Sequence, residues 1–489
     1  MYPIARTPAP PTALTPTQTL AGTRFRLFPQ SPETGLFGEP ETVIIALPPG
    51  GVGPGPCDDR MYVADAIGKR IPYGEGVWPS APPWPGLCRP PVPPGPDGNF
   101  DHIPVDSPDF LPVHMYGVVR LVLDIWESYL GGPVQWVHGS QWPRLELVPV
   151  VDWDNAHFGP GYMEAGVRRD KKGVPHLFCL NFDVLAHEMA HAILFSVVGF
   201  PSRSSVTAEY LGFQEGCSDF MALVSALHFA SVIDLTLDET GGNLYVLNTL
   251  SRIGETSATE QIRIASNDLK LSDFAGVAYT PDGRWVDATG QERDAHELSL
   301  PLSGALFDIL VEFFQDGLVA RGIIPPDDDV RGWSREEVEG DYDRLARDYG
   351  VKLASHRDAF RRSLIEARDL AGLCLADALT QLHSDHFDYD DLAARFLTAA
   401  LARGQEANRD AIIGHFQWRG IDPLAGRGPF PIIPEFIPES PAFSLDPGVS
   451  YAERHAFLCR SAGHRGRSGA DASLIGAVHR VIRHDWRAS

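Results

Sequence analysis

The sequence predicts an α+β protein in which a strand-containing N-terminal region joins a mainly helical C-terminal region. Proline placement is the first reason: 22 of the 42 prolines fall within residues 1–100, and proline fits neither helix interiors nor central strands, so this region is loops and short strands. The second is the change of pattern at Asp109, where apolar residues begin to recur at helical spacing. The third is the stretch from Ser334 to Gly420, rich in Ala, Leu, Arg and Glu, the composition of packed helices. With 489 residues, 44% hydrophobic and 21% charged, the chain has ordinary globular usage and length for a large core.

Residues 1–20 read as a disordered, Pro-rich tail, and 21–180 as an N-terminal region with strands and one long helix. Strands are predicted at Arg24 to Phe28, Thr42 to Leu47, Met61 to Ala64, Val134 to Val137 and Leu145 to Val151, where β-branched and aromatic residues are bounded by Gly or Pro. The long helix starts near Asp109 and stops at Gly131-Gly132. A mainly helical region follows over 181–425. Its first helix runs from about Phe182 to Val198, with Asn181 able to cap it and Gly199 and Pro201 ending it. The next covers roughly Val206 to Phe229. Another is expected over Pro301 to Phe314, with proline in the first turn and Gly317 beyond its end. Residues 426–489 form a Pro-rich loop and a basic tail, whose last forty residues hold seven Arg against three acidic residues; it reads as a solvated helix and its flank.

Lys plus Arg number 41 against 64 Asp plus Glu, a net charge of −23, and such a field repels phosphate backbones and anionic lipid, so no nucleic-acid partner is expected. No apolar run reaches the length of a membrane span. No secretory signal core is visible, so the cytoplasm is the default location, with signal-independent export the alternative. The six cysteines are scattered and form no C-x-x-C pair; Cys57 with Cys88 is the one pair to test for a bridge. The glycines of 50–55 are interrupted by prolines, which defeats a phosphate loop, and no G-x-S-x-G elbow occurs. Oligomeric state is not encoded legibly.

The chemistry lies in His187-Glu188-Met189-Ala190-His191. Histidines four apart sit about 40° from each other around a helix and can grip one ion, which suits zinc. In the next helix Glu215 and Asp219 are again four apart, in a mostly apolar segment where two carboxylates are costly unless paired or metal-bound. Glu215 can complete a site of two histidines and one glutamate, with Glu209 the competing candidate. Asp219 is then expected to accept the other ring N–H of a ligand histidine, assigned to His187.

These segments resemble the thermolysin-like gluzincin metallopeptidases, whose second motif reads approximately G-x-x-N-E-x-x-S-D, against Gly212-Phe213-Gln214-Glu215-Gly216-Cys217-Ser218-Asp219 here. Phe182 to His191 is similar to that family's zinc helix, Asp154-Asn155-Ala156-His157-Phe158 to its N-A-F-W strand, and Val113-His114-Met115-Tyr116-Gly117 to its A-H-Y-Y-A helix. His296 before Ser303-Gly304-Ala305 is similar to its V-H-x-N-S-G segment. The likeness spans about Asp109 to Phe314. It departs in a longer gap between His191 and Glu215, in Gln214 for Asn, and in His157 where an aromatic is common. Ser225 and Ala226 stand where the family's calcium-site acids would be, which leaves calcium doubtful despite Asp183.

The resemblance implies a zincin/thermolysin-like fold with a cleft between the two regions, and a zinc endopeptidase acting on peptide or protein substrates with one zinc per chain. Glu188 would be the general base and His296 the oxyanion stabiliser, oriented by Asp294 or Glu292. Asn155 and Ala156 would contact substrate backbone. Arg263, with Arg252 as the alternative, would hold substrate carbonyls. Two rivals stay open: a zinc aminopeptidase using Glu209 or Glu164 for the substrate amine, and a catalytically silent zincin-fold binding module.

Overall fold

The computed structural model describes residues 22–425 except 76–79, 170–172, 203–204, 246–247, 256–260, 280–284, 294, 326–327, 333–336 and 338–339. The expected tails over 1–20 and 426–489, and Asp294, lie outside the described residues. Helices dominate and strands are also present, so the chain is α+β.

Strands β1 (Thr23–Leu27) and β2 (Glu41–Ile45) pair antiparallel, from Thr23 opposite Ile45 to Leu27 opposite Glu41. Phe25 and Leu27 lie against Gly117 of α1 (Phe110–Leu130), where a Cβ would come within 2.7 Å of Leu27 Cδ2. The stop of α1 is Gly131, at φ 74°, a left-handed conformation that glycine adopts without strain. A four-stranded sheet comes next, built from β3 (Met61–Val63), β4 (Leu145–Val148), β5 (Ala156–Gly159) and β6 (Tyr162–Ala165) in the order β3-β4-β6-β5. The first two pairs are parallel and the last antiparallel, which makes β5 an edge strand.

The two sheet faces have different jobs. Met61, Leu145, Leu147, Phe158 and Met163 point into the main core against the helices. The opposite face carries Tyr62, Glu146, Tyr162 and Glu164, buried under the Pro-rich segment around Lys69, Tyr73 and Trp84. There Lys69 Nζ sits 3.2 Å from Glu164, with both side chains fully buried, and 3.6 Å from the Tyr73 ring centre. Cys57 and Cys88 belong to the same small cluster.

The strand expected over Val134 to Val137 is instead irregular. Its backbone donors are taken by side chains, Val134 N–H by Glu127 and Val137 N–H by Ser196, which removes the drive to pair with a strand. The hairpin β7 (Val167–Arg169) and β8 (Pro175–Leu177) leads into α2 (Phe182–Val197), capped by Asn181, whose side chain accepts from Val184 N–H. Then come α3 (Ala208–Ala226), capped by Thr207, and α4 (Ala230–Thr240). Strands β9 (Arg252–Glu255) and β10 (Gln261–Ile264) pair antiparallel, as do β11 (Ala278–Tyr279) and β12 (Trp285–Val286).

Helix α5 spans Ala295–Ala320, not 301–314: Pro301 lies inside it and Gly317 does not end it. Proline suits a first turn, which makes it read as a start, but tertiary contacts carry the helix across it. The last helices among the described residues are α6 (Tyr342–Leu379, kinked at His356), α7 (Tyr389–Ala402) and α8 (Arg409–Trp418). One continuous core links β1 to Ile421. Among the described residues no single helix is long and apolar enough to cross a membrane.

Candidate metal centre

Helix α2 is buried along nearly its whole length and packs against α1, α3 and β5. That burial follows from Val184, Leu185, Ala186, Met189, Ala190, Ile193 and Leu194, which surround the polar stripe of His187, Glu188 and His191. On α3, Gly212 and Gly216 lie four apart where α5 crosses. A Cβ at 216 would be 3.1 Å from Ser299 O, and one at 212 would be 3.0 Å from Leu298 O and 2.0 Å from the Tyr389 hydroxyl. The two glycines thus allow α5 to approach close enough for His296 to reach Glu215.

The ligand-type atoms of His187, His191 and Glu215 all lie within 4.8 Å of one another, and all three residues are buried. His187 Nε2 is 3.2 Å from Glu215 Oε2, and His191 Nε2 is 3.6 Å from Oε1. The two imidazoles meet edge to face, with ring centres 4.6 Å apart. His187 Nδ1 is 2.8 Å from Asp219 Oδ1. His191 Nδ1 is 3.1 Å from Ser218 Oγ and 3.5 Å from Gln214 Oε1. With each Nδ1 engaged behind it, Nε2 of both rings points at the carboxylate, and two nitrogen donors and one oxygen converging in a buried space fit a metal ion. Burial by itself would raise the Glu215 carboxyl; the charges of His296 and His191 and the contact with His187 outweigh it and hold the group well below the usual carboxylate range. A carboxyl group must be in this deprotonated form to ligate a metal.

Glu188 is fully buried, and its Oε2 accepts the backbone N–H of Phe158 on β5 at 2.7 Å. His296 Nε2 lies 3.1 Å from Glu215 Oε2, and with 12% of its side chain exposed it marks the side from which the group is reached. The structure therefore brings His187, Glu188, His191, Glu215, Asp219 and His296 onto two adjoining helices and the first turn of a third. Glu292 is exposed, at an isolated bridge with Val286.

The remaining candidates are more spread out. Asn155 and Ala156 stand at the start of β5, and the Asn155 side chain turns back to accept Ala156 N–H at 2.9 Å. Arg263 is in β10 opposite Ile253, and its side chain lies outside the described residues. Arg252 lines a small cavity with Asp183, Gln30 and Ala226 at the start of α2. Ser225 accepts the Trp126 indole N–H at 3.1 Å and donates to Met221 O. Glu209 accepts Tyr389 N–H at 2.6 Å and is pushed up by burial, so it is engaged away from the histidines. Glu164 is engaged by His157, Tyr73 N–H and Lys69.

The long connection between α2 and α3 is pinned by the segment before α7: Ser202 N–H donates to Asp385, His386 N–H to Ser205 O, and Thr207 Oγ1 to Phe387 O. The sequence reading missed three partners of the site: Phe158 N–H on Glu188, Ser218 on His191, and Tyr389 behind α5. Ser218, four residues after Gln214 on α3, was the one with a local signal, since its spacing from Glu215 puts it on the His191 side. No family model matches this sequence, and no curated protein matches it.

Proposed function

We propose that this protein is a zinc-dependent endopeptidase with a zincin/thermolysin-like catalytic arrangement. The observation that carries the reading is the convergence of His187, His191 and Glu215 within 4.8 Å, on an H-E-x-x-H helix whose intervening glutamate is anchored beside it. A zinc ion in that set would supply a bound water with a pKa of about 7 and a Lewis acid for a peptide carbonyl.

The chain's own groups fit the remaining tasks. Glu188 follows His187 by one residue, about 100° around the helix. Held at Oε2 by Phe158 N–H, it takes the proton of the attacking water and delivers it to the leaving amine. His296 donates from Nε2 to the oxyanion. Asp219 fixes the His187 ring by accepting from Nδ1. Phe158 turns its N–H away from β6 toward α2, so by the strand's period of two Ala156 faces the same edge; its N–H is taken by Asn155, and its carbonyl is the group offered to a peptide chain. Asn155 and Arg263 are the further substrate contacts in this reading. An aminopeptidase needs an acid facing the substrate amine, and both Glu164 and Glu209 are engaged internally, which favours the endopeptidase.

The test combines metal analysis with one substitution. The purified protein is expected to hold about one zinc per chain and to cleave casein. Glu188→Gln, which keeps an oxygen for Phe158 N–H, is expected to retain zinc and lose about 10²–10⁴-fold in turnover. Undiminished hydrolysis removes Glu188 as the base, and absence of zinc removes the site. Cleavage of an aminoacyl anilide but not casein makes the enzyme an aminopeptidase; cleavage of neither leaves a binding module.

A further inference from the structure

Pro301 lies inside α5, five residues after His296. Having no N–H, it leaves the carbonyl of Glu297 without its helical donor, so the turn that carries His296 is less firmly knit to the rest of α5. Contacts from elsewhere hold that turn. The Tyr389 hydroxyl donates to Leu298 O at 2.8 Å, and Asn267 Nδ2 donates to Leu300 O at 3.0 Å.

Both tethers are themselves fixed. Tyr389 is fully buried, and its N–H is held by Glu209 of α3. Asn267 is gripped by Arg419, which donates to its side-chain oxygen at 3.1 Å and its carbonyl at 2.6 Å and also to Asp308 of α5 at 2.7 Å. Gly212 gives the Tyr389 hydroxyl its space, since a Cβ there would be 2.0 Å away. Tyr389 opens α7 and Arg419 directly follows α8, both outside the segment that resembles a peptidase.

We infer that Tyr389 is a positioning residue whose hydroxyl, with Asn267, bridges the proline break and holds the first turn of α5 so that His296 stays against Glu215. The purpose of that placement rests on the proposed peptidase reading; the tether itself does not. The C-terminal helices thereby complete the site without touching substrate.

The test is hydrogen exchange by mass spectrometry on the full-length, zinc-loaded protein, together with kinetics. Tyr389→Phe is expected to speed exchange in the peptide spanning 295–302 by about 3- to 10-fold, the loss of one buried hydrogen bond, with α3 exchange and zinc content unchanged. If the protein is a peptidase, kcat falls by a similar factor while KM stays within about twofold. Adding Pro301→Ala restores a donor to Glu297 O and is expected to return exchange, and kcat with it, toward wild type. Asn267→Ala cuts the companion tether and is expected to give the same pattern. Unchanged exchange in Tyr389→Phe, loss of zinc, or no recovery with Pro301→Ala overturns the inference. Absence of peptidase activity in the wild type overturns only the peptidase reading, because exchange still decides the tether.

Discussion

Replacing Asp219 by alanine isolates the contact that orients His187. The carboxylate lies 2.8 Å from Nδ1, and both side chains are fully buried, so water does not substitute for the lost acceptor. A charge-assisted hydrogen bond of this kind contributes about 1.5–3 kcal/mol. Outer partners of metal-bound histidines typically account for about 10–100-fold in affinity, or about 1.4–2.7 kcal/mol, and the two ranges coincide. Asp219→Ala is therefore expected to weaken zinc binding by about 10–100-fold, and Asp219→Asn, which keeps an acceptor without the charge, by less. The assay is competition with a chromogenic chelator at neutral pH, alongside a thermal melt to verify folding. A zinc affinity for Asp219→Ala within about twofold of wild type, in a folded protein, would refute the argument that this carboxylate supports the ligand.

Three further outcomes follow from buried groups. His114 and His138 are both lowered to about 4 by burial, so each favours the neutral, folded form above its unfolded value near 6.5 and loses that contribution as pH falls toward 4. Each loss approaches about 3 kcal/mol below pH 4, about 2 kcal/mol of it between pH 7 and pH 5, so the urea midpoint at pH 5 should lie below that at pH 7; equal midpoints count against it. Lys69→Met leaves Glu164 buried beside the sheet without its cation and is expected to destabilise by about 3–5 kcal/mol in denaturant melts. Gly212→Ala gains about 1 kcal/mol of helix propensity but drives a methyl into Leu298 O and the Tyr389 hydroxyl, so it should lower stability by about 1–3 kcal/mol; a stabilised variant would show that α5 can retreat freely.

Local pattern sufficed where one element carried its own signals. The span of α2 was readable from Asn181, its apolar residues and Gly199, and the His187, His191 and Glu215 set from spacing on two successive helices. It failed where distant groups decide. Pro301 reads as a helix start because nothing nearby reveals that Tyr389 and Asn267 support the turn before it. Residues 134–137 read as a strand because their competing acceptors, Glu127 and Ser196, come from helices on either side. In β4 and β6, Glu146 and Glu164 break the apolar run expected of a buried strand, and only the folded chain shows the tyrosines and lysine that accommodate them.

The Trp126–Ser225 bond closes the junction of α1 and α3 with an indole and a hydroxyl, groups that no chelator extracts. On the proposed zinc reading, EDTA should act where His187, His191 and Glu215 converge and leave this junction closed.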